Sequence, residues 1–195
     1  MIGGAAGDAL GYTVEFDNEK AIENKCGKGG ITEYDINCKG VAQISDDTQM
    51  TLFTANALIA GVTRNRLDNG VERNGDFMED ISKSYQDWHT TQFNFLPTRN
   101  PKCAWIANIP ELYEMRAPGR TCLVSCYKGA NGTIENPIND KCGCGGVMRV
   151  APVGLMFKIE DGYAIEEIDM FGASSCTDSW QSTWIHASCC IGTYC

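Results

Sequence analysis

Nowhere along the chain does apolar character alternate with a period of two over a sustained stretch, so helices rather than strands must build the core. Two segments carry the helical period. Met50 to Val62 sets Leu52, Ala55, Leu58 and Ile59 at core spacing, and Asp76 to Trp88 repeats Phe77, Ile81, Tyr85 and Trp88 in the same way. With 195 residues and 43% apolar composition, the chain has enough material for a real core and reads as one mainly α domain. Gly3 to Gly11 is dense in small residues, suiting a flexible loop or a helix whose bare face admits a backbone or ligand. Cys26 to Gln43 holds four glycines among polar turn residues and reads as a long irregular loop. Leu96 to Pro101 is a proline-containing connection, and Arg116 to Thr121 is a turn with Thr121 placed to cap a short helix. Asn131 to Gly146 is looped, and Met148 to Phe157 is apolar but interrupted by Pro152.

Charge narrows the function. A net charge of −9 argues against a nucleic-acid surface, which needs a basic stripe, and favours cation binding. No apolar run reaches the roughly 20 residues that span a bilayer, and no charged leader precedes an apolar core, so the cytoplasm is expected. Eleven cysteines suggest a disulfide framework at first. The count is odd, however, the domain is too large to need stapling, and Cys142-Gly143-Cys144 and Cys122-x-x-x-Cys126 lack zinc-ribbon spacing. Reduced thiols are expected, with a cysteine-based zinc module as a disfavoured reading.

Ser45-Asp46-Asp47-Thr48 places two repelling carboxylates between hydroxyls, just ahead of an apolar helix. Two readings stand. Ser45 can cap that helix with acids favoured in its first turn, or the oxygens can converge on a hard cation such as Mg²⁺ or Mn²⁺. Elsewhere, Asp8 suits a local cap or hydrogen bond better than a metal contact. Arg149 suits either a phosphate or an internal salt bridge, and His89, beside Trp88, suits packing.

Taken in order, Gly7-Asp8-Ala9-Leu10-Gly11 with Val14-Glu15-Phe16, then Ser45-Asp46-Asp47-Thr48, Arg116-Ala117-Pro118-Gly119-Arg120-Thr121 and Gly143-Cys144-Gly145-Gly146-Val147-Met148-Arg149-Val150-Ala151-Pro152, form a set that resembles the ADP-ribosylglycohydrolase family, of the dinitrogenase-reductase-activating type. The resemblance runs from about Ile2 to Ala173. It implies an all-α, single-domain orthogonal helical bundle and a metal-dependent hydrolase. The implied substrate is an ADP-ribosylated protein or a small ADP-ribosyl compound, with neither nucleic acid nor membrane as partner. It further implies that Ser45, Asp46 and Asp47 hold part of a two-Mg²⁺ centre, with Mn²⁺ as an alternative. Glu15 and Asp47 are then the catalytic candidates, Glu15 positioning or deprotonating water. Gly119 and Thr121 fall near the substrate cleft, and Gly143, Cys144, Gly145, Gly146, Val147 and Met148 wrap ADP-ribose. Such chemistry builds oxocarbenium character on the ribose and needs a placed water, tasks suited to carboxylates and metal ions.

The chain departs from the family at its end. A D-x-D-T-type segment normally completes the metal centre, and here Asp169 and Asp178 stand alone. Residues 1–174 are therefore expected to form the family-like domain, incomplete at its C-terminus, and 175–195 an aberrant tail. A one-nucleotide shift through permitted codons converts that tail into a string like the family's T-H-G-x-P-L-G-Y-x-P-A-A, so a frameshift near Ser175 is expected. A half-set of ligands should bind Mg²⁺ weakly. An alternative reading follows: a non-catalytic remnant that binds ADP-ribose.

Overall fold

The computed structural model describes residues 1–69, 77–133, 136–139 and 143–157. Six α-helices are present among them: α1 (Ile2–Gly11), α2 (Glu19–Cys26), α3 (Asp46–Asn69), α4 (Phe77–Phe93), α5 (Arg120–Tyr127) and α6 (Ala151–Met156). Short 3₁₀ turns join them at Tyr12–Val14, Trp105–Asn108, Pro110–Leu112 and Cys144–Arg149. The described residues contain no strand, only an isolated bridge between Ile36 and Ala42. The fold is all-α, as expected. No helix among the described residues is long and apolar enough to cross a membrane.

α3 is the axis, with α4 packed along it and the last 3₁₀ turn and α6 against its other side. On α4 the apolar spacing shows the buried face directly: Phe77, Ile81, Tyr85 and Trp88 are all buried. On α3 the expected face is out of phase. Leu58 is buried, but Leu52 and Ile59 are exposed and Ala55 only half-buried; the core residues are Met50, Phe53, Ala57 and Leu58. The reason is that α3 also buries polar side chains, which find partners inside. Gln49 Oε1 accepts from Trp88 Nε1 and Gln92 Nε2, while Thr54 Oγ1 bonds the Tyr85 hydroxyl at 2.7 Å. Asn56 Oδ1 accepts from the Ile106 amide.

The irregular stretch after Cys26 is present, with Gly27, Gly30 and Gly40 at positive φ. The helix preceding it, α2, has an ordinary start: the Asn18 side chain accepts from the Ala21 amide, with Glu19 in the first turn. Pro152 sits in the first turn of α6 and so begins that helix instead of breaking it. Thr121 does not cap α5. It lies inside the first turn, and the cap position belongs to Gly119.

The small-residue segment is helical: α1 carries Gly3, Gly4, Gly7 and Gly11, and a Cβ at any of them would meet nothing within 4 Å. Gly7, exposed in mid-helix, offers a clean test. Gly7→Ala should raise stability by about 0.5–1 kcal/mol, read as a higher melting temperature, because alanine relieves the entropic cost of helical glycine.

Candidate metal centre

Ser45 starts α3 by accepting the Asp47 amide on its hydroxyl oxygen at 3.1 Å. Asp46 is 4% exposed. Its amide donates to the Arg116 carbonyl at 2.9 Å, and its Oδ2 accepts the Gly119 amide at 3.1 Å. The Arg116–Gly119 turn thus straps Asp46 by main chain and side chain together. The Arg116 side chain pairs instead with Glu114.

Asp8 reaches across from α1. Its Oδ2 accepts the amides of Ser45 (2.9 Å) and Thr48 (3.2 Å) and the Thr48 hydroxyl. It is a cap, but of a helix about forty positions away rather than of its own neighbourhood.

Asp47 lines a cleft of about 680 Å³ whose walls include Gly4, Asp8, Thr48, Thr51, Leu52 and Met148. The glycine loop joins the cleft through Met148, whose carbonyl lies 2.9 Å from the Thr51 hydroxyl. Gly143 and Cys144 are exposed, whereas Gly146 is buried. Gly145 is glycine for a packing reason, since a Cβ there would collide with the Cys122 sulfur. Arg149 does not face the cleft. It is 1% exposed, with its guanidinium 4.6 Å from the Tyr85 ring centroid. His89 packs on Phe93 and Tyr127, at 4.7 and 5.9 Å between ring centroids.

The electrostatics are those of crowded acids. Burial pushes Asp46 up to about 7, helped by Asp47 and Glu15 and opposed by the Gly119 amide. Burial pushes Asp47 to about 6, with Asp8 and Glu15 adding to it. Glu15, on the lip just after the Tyr12–Val14 turn, is raised by partial desolvation and then by Asp8. Four carboxylates therefore feel one another, and the groups acting on Asp46 and Asp47 include no basic side chain.

Oxygen-only donors of this kind suit a hard divalent cation, so Ser45, Asp46 and Asp47 fit Mg²⁺ in chemistry. In number they form only part of a set. Among the described residues no group of three or more His, Cys, Asp or Glu side chains is arranged to hold a metal ion. The six described cysteines form no disulfide and no zinc cluster.

The structure thus gathers Asp8, Glu15, Ser45, Asp46, Asp47, Gly119 and Met148 around one cleft edge. It gives Thr121 no bond to those acids among the described contacts. The bond from Asp8 and the Arg116 carbonyl strap were not read from sequence. An acid in a glycine-rich helix signals the first, and nothing in a side-chain pattern signals a carbonyl.

Comparison with curated proteins and with solved structures gives no match. The sequence profile of one family, ADP-ribosylglycohydrolase, matches residues 1–191. The match passes Ser175, where a domain boundary is expected, although that boundary and Asp169, Asp178 and His186 lie outside the described residues. One profile spans Glu15, the acid pair at the head of α3, the strap that holds Asp46 and the glycine loop, and on that match the chain belongs to the ADP-ribosylglycohydrolase family.

Proposed function

We propose that this protein is a metal-dependent hydrolase that releases ADP-ribose from ADP-ribosylated proteins or related compounds, working in the cytoplasm. The observation that carries the reading is the placement of Asp46 and Asp47, raised in pKa by burial and by each other's company, beside a cleft large enough for a nucleotide-sized ligand. In this reading Ser45, Asp46 and Asp47 hold Mg²⁺. When bound, the ion supplies charge stabilisation and orients ribose hydroxyls.

The rest falls to the chain's own groups. The Gly119 amide keeps one Asp46 oxygen in place. Asp47 presents its carboxylate to the cleft. Glu15, with its raised pKa, takes a proton from the attacking water as the water oxygen bonds to the anomeric carbon and the glycosidic bond breaks. The loop ending at Met148 borders the same cleft and contacts the remainder of the ADP-ribose.

A test is direct. Incubation with an ADP-ribosylated protein and Mg²⁺ should release ADP-ribose, and chelation should stop it. No release in the presence of Mg²⁺ would overturn the hydrolase reading. The second reading, ADP-ribose binding without turnover, draws on the short ligand set among the described residues. Calorimetric binding of ADP-ribose with no release would select it.

A further inference from the structure

We infer that Asp8 is the positioning residue of the site: its carboxylate fixes the first turn of α3 relative to Glu15, and so sets the spacing of the oxygens that meet the cation. The inference rests on the metal-dependent reading above.

A helix leaves its first amides without partners, and those of α3 are shared among three acceptors. Ser45 Oγ takes the Asp47 amide, and the Arg116 carbonyl takes that of Asp46. Asp8 Oδ2 takes the amides of Ser45 and Thr48 together with the Thr48 hydroxyl. Of the three, Asp8 alone comes from the segment that leads to Glu15. Its own carbonyl accepts the Tyr12 amide, and the Tyr12 carbonyl accepts the Glu15 amide at 3.3 Å. The Thr13 carbonyl, in the same turn, is pinned by Lys25 Nζ at 3.1 Å.

Two routes therefore diverge from one residue. The main chain of Asp8 leads by two hydrogen bonds to Glu15, and its side chain leads by three to the turn bearing Asp46 and Asp47. Neither α1 with its bare glycines nor the turn after it has bulky packing to hold this spacing independently. An oxygen that accepts three donors is also saturated, so it serves as a brace rather than as a ligand.

The experiment measures Mn²⁺ binding to the full chain by electron paramagnetic resonance, alongside melting and kcat with KM. Asp8→Ala should weaken Mn²⁺ by about 10–100-fold, the usual cost of losing a group that orients metal ligands, and should lower kcat more than KM. Asp8→Asn keeps a carbonyl oxygen for both amides and should bind within about one hydrogen bond's worth, roughly five-fold, of wild type. Thr48→Val removes a single donor and should also cost roughly five-fold, which keeps the inference testable should Asp8→Ala not fold.

Unchanged Mn²⁺ affinity in Asp8→Ala or Thr48→Val would overturn the inference, leaving Asp8 a stabilising cap only. An Asn variant as weak as the Ala variant would also overturn it, in favour of Asp8 acting by charge or direct ligation. Wild type that binds no Mn²⁺ removes both the inference and the metal-dependent reading. Mn²⁺ binding with the expected variant pattern, but no ADP-ribose release, removes the hydrolase reading alone.

Discussion

Asp46→Asn should reduce turnover by more than about 100-fold and at the same time raise the melting temperature of the metal-free protein at pH 8. The first effect exceeds the roughly 10–100-fold typical of a group that only orients a ligand, because Asn removes a charge that the cation needs. The second follows from linkage. The Asp46 carboxyl moves from an ordinary 3.8 to about 7 on folding, chiefly by burial. Between those values the folded protein keeps a proton that the unfolded chain has lost, so stability falls as pH rises through the window and stays low above it. Asparagine removes that penalty, on the order of 2–4 kcal/mol, and its carbonyl oxygen can still accept the Gly119 amide. For a chain of this size the gain corresponds to roughly 5–10 °C at pH 8, shrinking towards zero as pH approaches 4. Mg²⁺ should raise the melting temperature of wild type and leave the variant unchanged. A variant less stable than wild type at pH 8 would mean that Asp46 carries no stored electrostatic cost. The pairing of lost function with gained stability is the mark of a site held against its own repulsion.

How much of this could be read in advance depended on whether each residue's partner lay nearby in sequence. The buried face of α4 was legible because Phe77, Ile81, Tyr85 and Trp88 are large, apolar and helically spaced, and burial acts on each by the same hydrophobic term. α3 misled because its buried face includes Gln49, Thr54 and Asn56, whose hydrogen bonds go to α4 and the Trp105–Asn108 turn. Leu52 and Ile59 line clefts instead. The start of α3 was legible from Ser45 and its two acids. That Asp8 and Gly119 complete it was not, since those bonds join residues 37 and 73 positions apart. The Asn18 start of α2 had a readable signal in Asn18-Glu19, with Lys25 in the last turn. In the glycine loop, flexibility near a diphosphate suggests the glycines, yet at Gly145 the Cys122 sulfur requires one.

Gly61→Ala should do the reverse of Gly7→Ala, lowering stability by about 2–3 kcal/mol although the substitution and the helical setting are the same. The difference lies in what stands beside the new methyl. At Gly61 a Cβ would lie 2.8 Å from Asp80 Oδ2 and 2.9 Å from Phe77 Cδ1. Neither neighbour can retreat cheaply. Both Asp80 oxygens are gripped by the Arg64 guanidinium, with N···O distances of 2.5 Å, and Asp80 is fully buried. The Phe77 ring meets Phe157 edge-on, 5.2 Å between centroids. Moving Asp80 away from Arg64 would strand a buried charge, a cost of about 3–5 kcal/mol. The intrinsic preference for alanine returns only about 1 kcal/mol, so crowding wins. The melting temperature should fall by roughly 5–8 °C. Phe77→Leu makes room on one side, so the double variant should be less unstable than the sum of the singles by about 0.5–3 kcal/mol. Gly61 stands fifteen residues from Asp46, about 22 Å along the α3 axis, so Mn²⁺ affinity per folded molecule should stay at the wild-type value. A Gly61→Ala protein as stable as wild type would show that α3 and α4 can separate without loss, and the rigid axis on which the acid pair is mounted would have to lie elsewhere.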